Sequence, residues 1–203
     1  MKLALIGASG MIGSEILNEA LSRGHEVTGI VRHPEKLPEH PHLHAVKGDV
    51  FDGDNLQKQL QGHDAVISAV HYTASDLPTL LNAIKLSGVK RYLVVGGAGS
   101  LELASGKQLV DTPIFPAEYK VEARKGRDYL EMLKQEDELD WTFLSPSIEI
   151  APGKRTGRFR LGRDQPLFDE VGKSSISTQD YAIAMVDELE KPTHQRKRFT
   201  VGY

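Results

Sequence analysis

Gly7-Ala8-Ser9-Gly10-Met11-Ile12-Gly13 decides the fold. It follows a short apolar run, Leu3–Ile6. It opens a segment whose apolar residues Ile12, Ile16, Leu17, Ala20 and Leu21 recur at helical spacing until Gly24 ends it. A strand, a glycine-rich turn and a helix in that order make a phosphate-binding loop. One glycine permits the tight turn, one lets backbone approach a pyrophosphate, and one lets the helix pack closely on the strand. The helix N-terminus then offers free N–H groups and about half a positive charge to an anion. Glycines also serve ordinary turns. The placement after the first strand of an alternating chain is what points to a dinucleotide.

The alternation continues outward from the loop. Val27–Val31, Leu43–Lys47, Ala65–Val70, Tyr92–Val95 and Trp141–Leu144 read as strands. Between them lie a short helix carrying Leu56–Leu60, a helix from about Pro78 to Ser87, and a long helix from about Ala117 to Gln135. Pro78 suits a first helical turn and Gly88 the position just past a helix end. Strands alternating with helices mean βαβ units and a parallel sheet. The first, fourth and fifth strands are near-continuous apolar runs, as expected of strands covered on both faces. Near the C-terminus, Ser177-Thr178-Gln179-Asp180 forms a capping box. It opens a helix carrying Tyr181, Met185 and Leu189, which Pro192 stops, and Phe199–Val201 reads as a last strand.

Composition removes whole classes of function. The chain has 203 residues, 39% hydrophobic and 26% charged, with 25 basic against 28 acidic side chains. That is ordinary globular usage for one large domain, and it excludes disorder and fibrous repeats. A net charge of −3 gives no reason to expect nucleic acid or a membrane surface as partner. Without cysteine there is no disulfide, thiol catalysis or Cys-ligated metal. The apolar run at the N-terminus breaks at Gly7, too early for a signal peptide, and no run of ~20 apolar residues exists to span a bilayer. The expectation is a cytoplasmic protein.

The residue at the end of the second strand chooses between dinucleotides. An acidic residue there would hydrogen-bond a ribose 2′-OH. This chain has Arg32, 19 residues after Gly13, with Lys36 four residues later. A planar, always-charged donor suits a 2′-phosphate, so NADP(H) is expected in preference to NAD(H); a solvated arginine at a strand end is the alternative. Asp49 and Val50, just past the third strand, fall where an adenine would rest, Asp49 as acceptor and Val50 as wall. Asp49 could equally be a turn residue. Ser68-Ala69-Val70 brings small residues to the same sheet edge.

The glycine loop, Arg32, Gly48-Asp49-Val50, Val94-Val95-Gly96-Gly97-Ala98-Gly99 and Phe143-Leu144-Ser145-Pro146 together resemble one family over essentially the whole chain. It is the atypical short-chain dehydrogenase/reductases, in the branch of NmrA-like proteins, NADH-flavin reductase-like proteins and biliverdin reductase B. The ending Arg198-Phe199-Thr200-Val201-Gly202-Tyr203 is closest to the flavin-reductase-like group. The resemblance implies an α/β single-domain Rossmann fold over residues 1–203. Its doubly wound, mostly parallel sheet would carry a small C-terminal part, from about residue 146, supplying the substrate side. It implies that Gly7, Ser9, Gly10, Met11, Ile12 and Gly13 hold the pyrophosphate, and Arg32 and Lys36 the 2′-phosphate. Asp49 and Val50 would flank adenine, Ala69 and Val70 line the ribose side, and Gly96, Gly97 and Pro146 the nicotinamide end.

One departure carries mechanistic weight. The wider superfamily uses Tyr-x-x-x-Lys to protonate a carbonyl, and none of the six tyrosines here has lysine four residues on; Tyr119 is followed by Ala123. Carbonyl reduction is therefore disfavoured, and nucleotide-sugar chemistry is disfavoured because only 58 residues follow from Pro146 onward, little for a large substrate lobe. A small planar acceptor that takes a hydride without a positioned acid fits better. A flavin is such an acceptor, as substrate and not as bound prosthetic group, and a quinone is another. The alternative is a non-enzymatic NmrA-like NADP(H) sensor acting through a protein partner.

Other constellations are weighed against plainer readings. Gly97–Pro116 is long for a loop and is read as a lid or as passive surface; within and beside it, Ser100, Phe115 and Tyr119 could meet an aromatic substrate. His71 and Tyr72 follow the fourth strand and face the presumed nicotinamide. The catalytic candidates are thus Ser100, His71 and Tyr119, with none assigned. His40, His42 and His44 would share a face if the chain were extended, but Pro41 favours a solvated edge, and no metal is expected. Lys154, Arg155, Arg158, Arg160 and Arg163 read as a solvated, flexible strand pair or as an attractor of anionic substrates.

Overall fold

A computed structural model describes residues 1–203. Strands β1 (Lys2–Ile6), β2 (Glu26–Val31), β3 (Leu43–Lys47), β4 (Ala65–Ser68), β5 (Arg91–Val95) and β6 (Asp140–Ser145) all pair in parallel. β10 (Lys197–Gly202) pairs in parallel with β6 and antiparallel with β8 (Arg160–Gly162). The sheet order is β3-β2-β1-β4-β5-β6-β10-β8. The order reverses between β1 and β4, which is where ligands bind in open α/β sheets. Helices α1 (Met11–Ser22) and α5 (Thr178–Glu190) cover one face; α2 (Gly53–Leu60), α3 (Leu77–Ser87) and α4 (Lys120–Lys134) cover the other. β7 (Glu149–Ala151) and β9 (Ser175–Ser177) form a separate small parallel pair. No helix is long and apolar enough to cross a membrane.

The two-sided burial follows from the pleat. Leu3 and Leu5 join the core under α1 and α5, while Ala4 and Ile6 join the core under α2 to α4. The expected helix signals operate. Pro78 lies in the first turn of α3, Asp76 caps it by accepting from Thr79 N at 3.2 Å, and Gly88 closes it at φ +85°.

Several expectations are corrected. The fourth strand stops at Ser68, not Val70, because β1 turns away at Gly7; Ala69 N still reaches Ile6 O at 2.8 Å, and nothing beyond it pairs. The long helix opens with a 3-10 turn, Ala117–Tyr119, before α4 begins. The capping box closes on one side only. Ser177 Oγ accepts from Asp180 N at 3.0 Å, but the Asp180 carboxylate instead accepts from Thr156 N at 2.8 Å, Gly157 N at 2.9 Å and Tyr203 OH at 2.8 Å. Burial opposes its charge, but the Thr156 hydroxyl, which also donates to the carboxylate, and these other donors outweigh burial, holding Asp180 below the ordinary carboxylate value.

The basic stretch is not a flexible strand pair. Only residues 160–162 form a strand, and Arg155 is fixed on buried Glu19 by two hydrogen bonds of 2.9 Å. Arg160 donates to the backbone carbonyls of Phe168 and Tyr203. His40 and His42 do not extend into β3: Leu43 N bonds His40 O at 3.0 Å, a turn that puts the two rings 50° apart.

Candidate cofactor site

The three loop glycines divide the labour in a way that only geometry reveals. Gly7 has φ +83°, and a Cβ on it would stand 2.3 Å from Ala69 O. A Cβ on Gly13 would stand 2.1 Å from Gly7 O, so α1 can sit this close to β1 only without a side chain there. Gly10 is different. Its φ of −76° and ψ of 169° suit any residue, and an added Cβ would meet only Gly7 O, at 3.4 Å. The fold itself does not ask for glycine at position 10. Gly97, just past β5, is the same: ordinary φ and nothing within 4 Å of an added Cβ.

Gly10 is also the N-cap of α1, which has neither a capping side chain nor an acidic residue in its first turn. By contrast α2, α3 and α5 are capped by Asp52, Asp76 and Ser177. The α1 amides and their partial positive charge are left for something outside the chain.

A cleft of about 190 Å³ opens over this terminus. Of the predicted residues, Gly7, Ser9, Gly10, Arg32, Asp49, Val50, Ala69, Val70 and His71 line it. Met11, Ile12 and Gly13 form the first turn of α1 without facing the cleft, and Lys36 stands in a 3-10 turn, Pro34–Lys36, beyond its wall. Gly96, Gly97 and Pro146 lie at the ends of β5 and β6, outside the cleft. Gly96 is explained by packing, since its Cβ would fall 2.4 Å from the Phe143 ring. The cleft also takes in Ile30, Val31, Phe51, Ala74 and Ser75, which the sequence did not single out.

Arg32 is exposed and, like Lys36, makes no ion pair. Asp49 does serve its turn, with Oδ1 accepting from Phe51 N at 3.0 Å, which leaves Oδ2 without a protein partner. At the other end, Glu122 of α4 fixes the backbone after β4. Its Oε1 accepts from Tyr72 N at 2.6 Å and its Oε2 from Thr73 N at 2.8 Å. This holds His71, whose side chain is 87% exposed, at the cleft rim, 3.7 Å from Glu122 Oε1. The signal was unreadable in sequence because the two partners lie 50 residues apart.

The remaining catalytic candidates separate. Ser100 is buried, and its Oγ accepts from Arg198 Nη1 at 3.1 Å, so it is a structural anchor and does not face the cleft. Tyr119 is 61% exposed on the turn before α4. The Gly97–Pro116 stretch is a folded pad and not an open lid: Leu101 and Leu109 are buried with Ala98, and Leu109 N bonds Leu101 O at 2.8 Å. Tyr72, expected to face the nicotinamide, is buried and donates to Val95 O at 2.8 Å, and burial pushes its pKa well up. Tyr92 and Tyr129 share a buried hydroxyl chain with Ser68; burial raises Tyr92 to about 12.

Over residues 7–192 the chain matches the family model described as NAD(P)H-binding. The uncharacterized protein YwnB of Bacillus subtilis is 43% identical over 211 residues, spanning 99% of this chain and 98% of YwnB. A solved protein from Bacteroides thetaiotaomicron, provisionally named an epimerase, is 47% identical with a TM-score of 0.95, covering 100% of this chain and 96% of its own. Another from Streptococcus pneumoniae, provisionally named an NADH-flavin reductase, is 39% identical with a TM-score of 0.84, covering 100% and 99%.

Proposed function

The chain belongs to the NAD(P)H-binding family, as an atypical short-chain dehydrogenase/reductase, and from that premise we propose that it is an NADPH-dependent reductase of a flavin or similar planar acceptor. The observation that carries the reading is the open face of Gly10, a glycine without an internal reason, over an uncapped helix terminus and beside the unpaired Arg32.

In this reading the residues act as follows. The backbone of Gly7, Ser9, Gly10, Met11, Ile12 and Gly13, with the α1 amides, holds the pyrophosphate. Arg32, seconded by Lys36, takes the 2′-phosphate and sets the preference over NAD(H). Asp49 and Val50 flank the adenine, and Ala69 and Val70 line the ribose side. Gly96, Gly97 and Pro146 shape the nicotinamide end, and the open Cβ side of Gly97 lets a ligand approach the backbone there. NADPH supplies the hydride when bound. The chain binds it, orients it and keeps water from the reacting face, with His71 at the rim to contact the acceptor. The rate comes from proximity and desolvation, since a reduced flavin can take its proton from water.

The test is NADPH oxidation with FMN, FAD, riboflavin and quinones as acceptors, and turnover with at least one is expected. Tight NADPH binding without turnover on any of them favours the second reading, an NADP(H) sensor that signals to a protein partner. The specific observation behind that reading is that the buried Tyr72, Tyr92 and Tyr129 spend their hydroxyls inside the fold, leaving the cleft without a tyrosine acid.

A further inference from the structure

Phe51 is a large apolar side chain left 61% exposed, outside both hydrophobic cores. Exposing a phenyl ring forfeits hydrophobic stabilisation. Nothing local requires a ring at this position. The backbone is already set by Asp49 Oδ1 accepting from Phe51 N at 3.0 Å, and the next residue, Asp52, caps α2 by accepting from Asn55 N at 3.2 Å. The side chain stands between two openings. On one side it lines the cofactor cleft with Asp49 and Val50; on the other it borders a polar groove of about 330 Å³ between α2 and α3.

Three consecutive residues thus bring three chemistries to one end of the cleft. Asp49 has a free carboxylate oxygen. Val50 is partly buried against the core and makes a fixed aliphatic wall. Phe51 adds an exposed aromatic face at the cleft's edge. An acceptor, a wall and a face suit a flat heteroaromatic base carrying an exocyclic amine.

We propose that Phe51 stacks on the adenine ring and closes the outer side of its subsite, an inference that rests on the cleft taking the dinucleotide. Stacking of a base on an aromatic side chain has a substantial, sequence-tolerant effect on affinity. The ring would also be shielded from water once a base lies on it, recovering the burial that the free protein lacks.

The test compares wild type, Phe51→Ala and Phe51→Trp by calorimetric titration with NADPH, with adenosine 2′,5′-bisphosphate and with reduced nicotinamide mononucleotide. Phe51→Ala is expected to weaken NADPH and the bisphosphate about tenfold or more, with the mononucleotide unchanged. Phe51→Trp is expected to restore affinity, and its exposed indole to lose fluorescence with the bisphosphate. The native Trp141 is only 3% exposed, so wild type supplies the blank. Unchanged bisphosphate affinity in Phe51→Ala, equal loss of the mononucleotide, or an indole signal in Phe51→Trp that does not respond to the bisphosphate overturns the proposal while leaving the cofactor reading intact. Wild type that binds neither NADPH nor the bisphosphate overturns both. Because the side chain is outside the core, all three proteins should melt within a few degrees of one another, which separates lost stacking from lost fold.

Discussion

Glu122 Oε1 lies 2.6 Å from the backbone nitrogen of Tyr72, and the same carboxylate reaches Thr73 N at 2.8 Å. One side chain from the first turn of α4 thereby anchors the backbone that follows β4. A carboxylate accepting two amide protons is a strong arrangement, because each bond is charge-assisted. Glu122→Gln keeps the size but turns an NH₂ group toward one of those amides. It should cost about 1–3 kcal/mol in urea unfolding and loosen the His71 rim, raising the acceptor KM more than it lowers kcat. An unchanged urea midpoint and KM would show that the clamp is idle.

Arg32 has no internal partner, so its charge is available to a ligand. Arg32→Glu should reverse or abolish the preference for NADPH over NADH by placing like charge beside the 2′-phosphate. Binding isotherms decide the matter: wild type that takes NADH as tightly as NADPH rules out this role.

Gly10 and Gly13 should respond oppositely to the same change. Gly10→Val is expected to fold, since the backbone there is unstrained and the space open, yet to lose dinucleotide binding. Gly13→Val should fail to fold stably, because its Cβ would collide with Gly7 O at 2.1 Å. Calorimetry for binding and circular dichroism for folding separate the two. Undiminished NADPH affinity in Gly10→Val would refute the pyrophosphate geometry.

No single tyrosine should be indispensable. Tyr119→Phe and Tyr72→Phe should each lower turnover by less than about tenfold, or roughly 1.4 kcal/mol of barrier. A positioned general acid is typically worth about 10²–10⁴-fold. Tyr72→Phe carries a separate structural cost, because Val95 O loses its buried donor; about 1–3 kcal/mol of stability is expected. A thousandfold loss in single-turnover hydride transfer, with both ligands still bound, would falsify the acid-free mechanism.

Glu188 gives the fold a defined acid sensitivity. It is buried at the end of α5 and accepts from His194 N at 2.8 Å, His194 Nδ1 at 2.8 Å, Thr193 N at 3.1 Å and Arg91 Nη2 at 3.1 Å. Burial opposes its charge, but these donors hold its pKa below the ordinary 4.5. A depressed folded-state value binds fewer protons than the unfolded chain does. Its contribution is therefore complete above about pH 4.5 and is lost as pH falls through the lowered value. Glu188→Gln should be less stable at neutral pH and show a shallower decline in acid. Parallel urea midpoints for both proteins from pH 7 to 3 would contradict this.

The fold was largely readable because β1, β4 and β5 are near-continuous apolar runs and the elements between strands are bounded by punctuation that physical chemistry makes specific, such as Pro78 and Gly88 around α3. The strand–turn–helix setting of the glycine loop was readable for the same reason. What stayed hidden depends on distance in sequence. Ser100 looked like a catalytic hydroxyl until Arg198, 98 residues on, was found holding it. β7 and β9 are three residues each, too short to carry a period. The different duties of Gly10 and Gly13 leave no trace in a motif that writes both as the same letter.

The cleft draws its lining entirely from residues 6–75, whereas β6 keeps an unpaired edge until β10, residues 197–202, is in place. On the ribosome, every residue of that cleft is made well before the sheet can be closed. The lining of the cleft and the last parallel pairing of the sheet are thus separated along the direction of synthesis. The exposed edge of β6 is the one the cell must protect in the interval, because an unpaired strand edge recruits neighbouring chains.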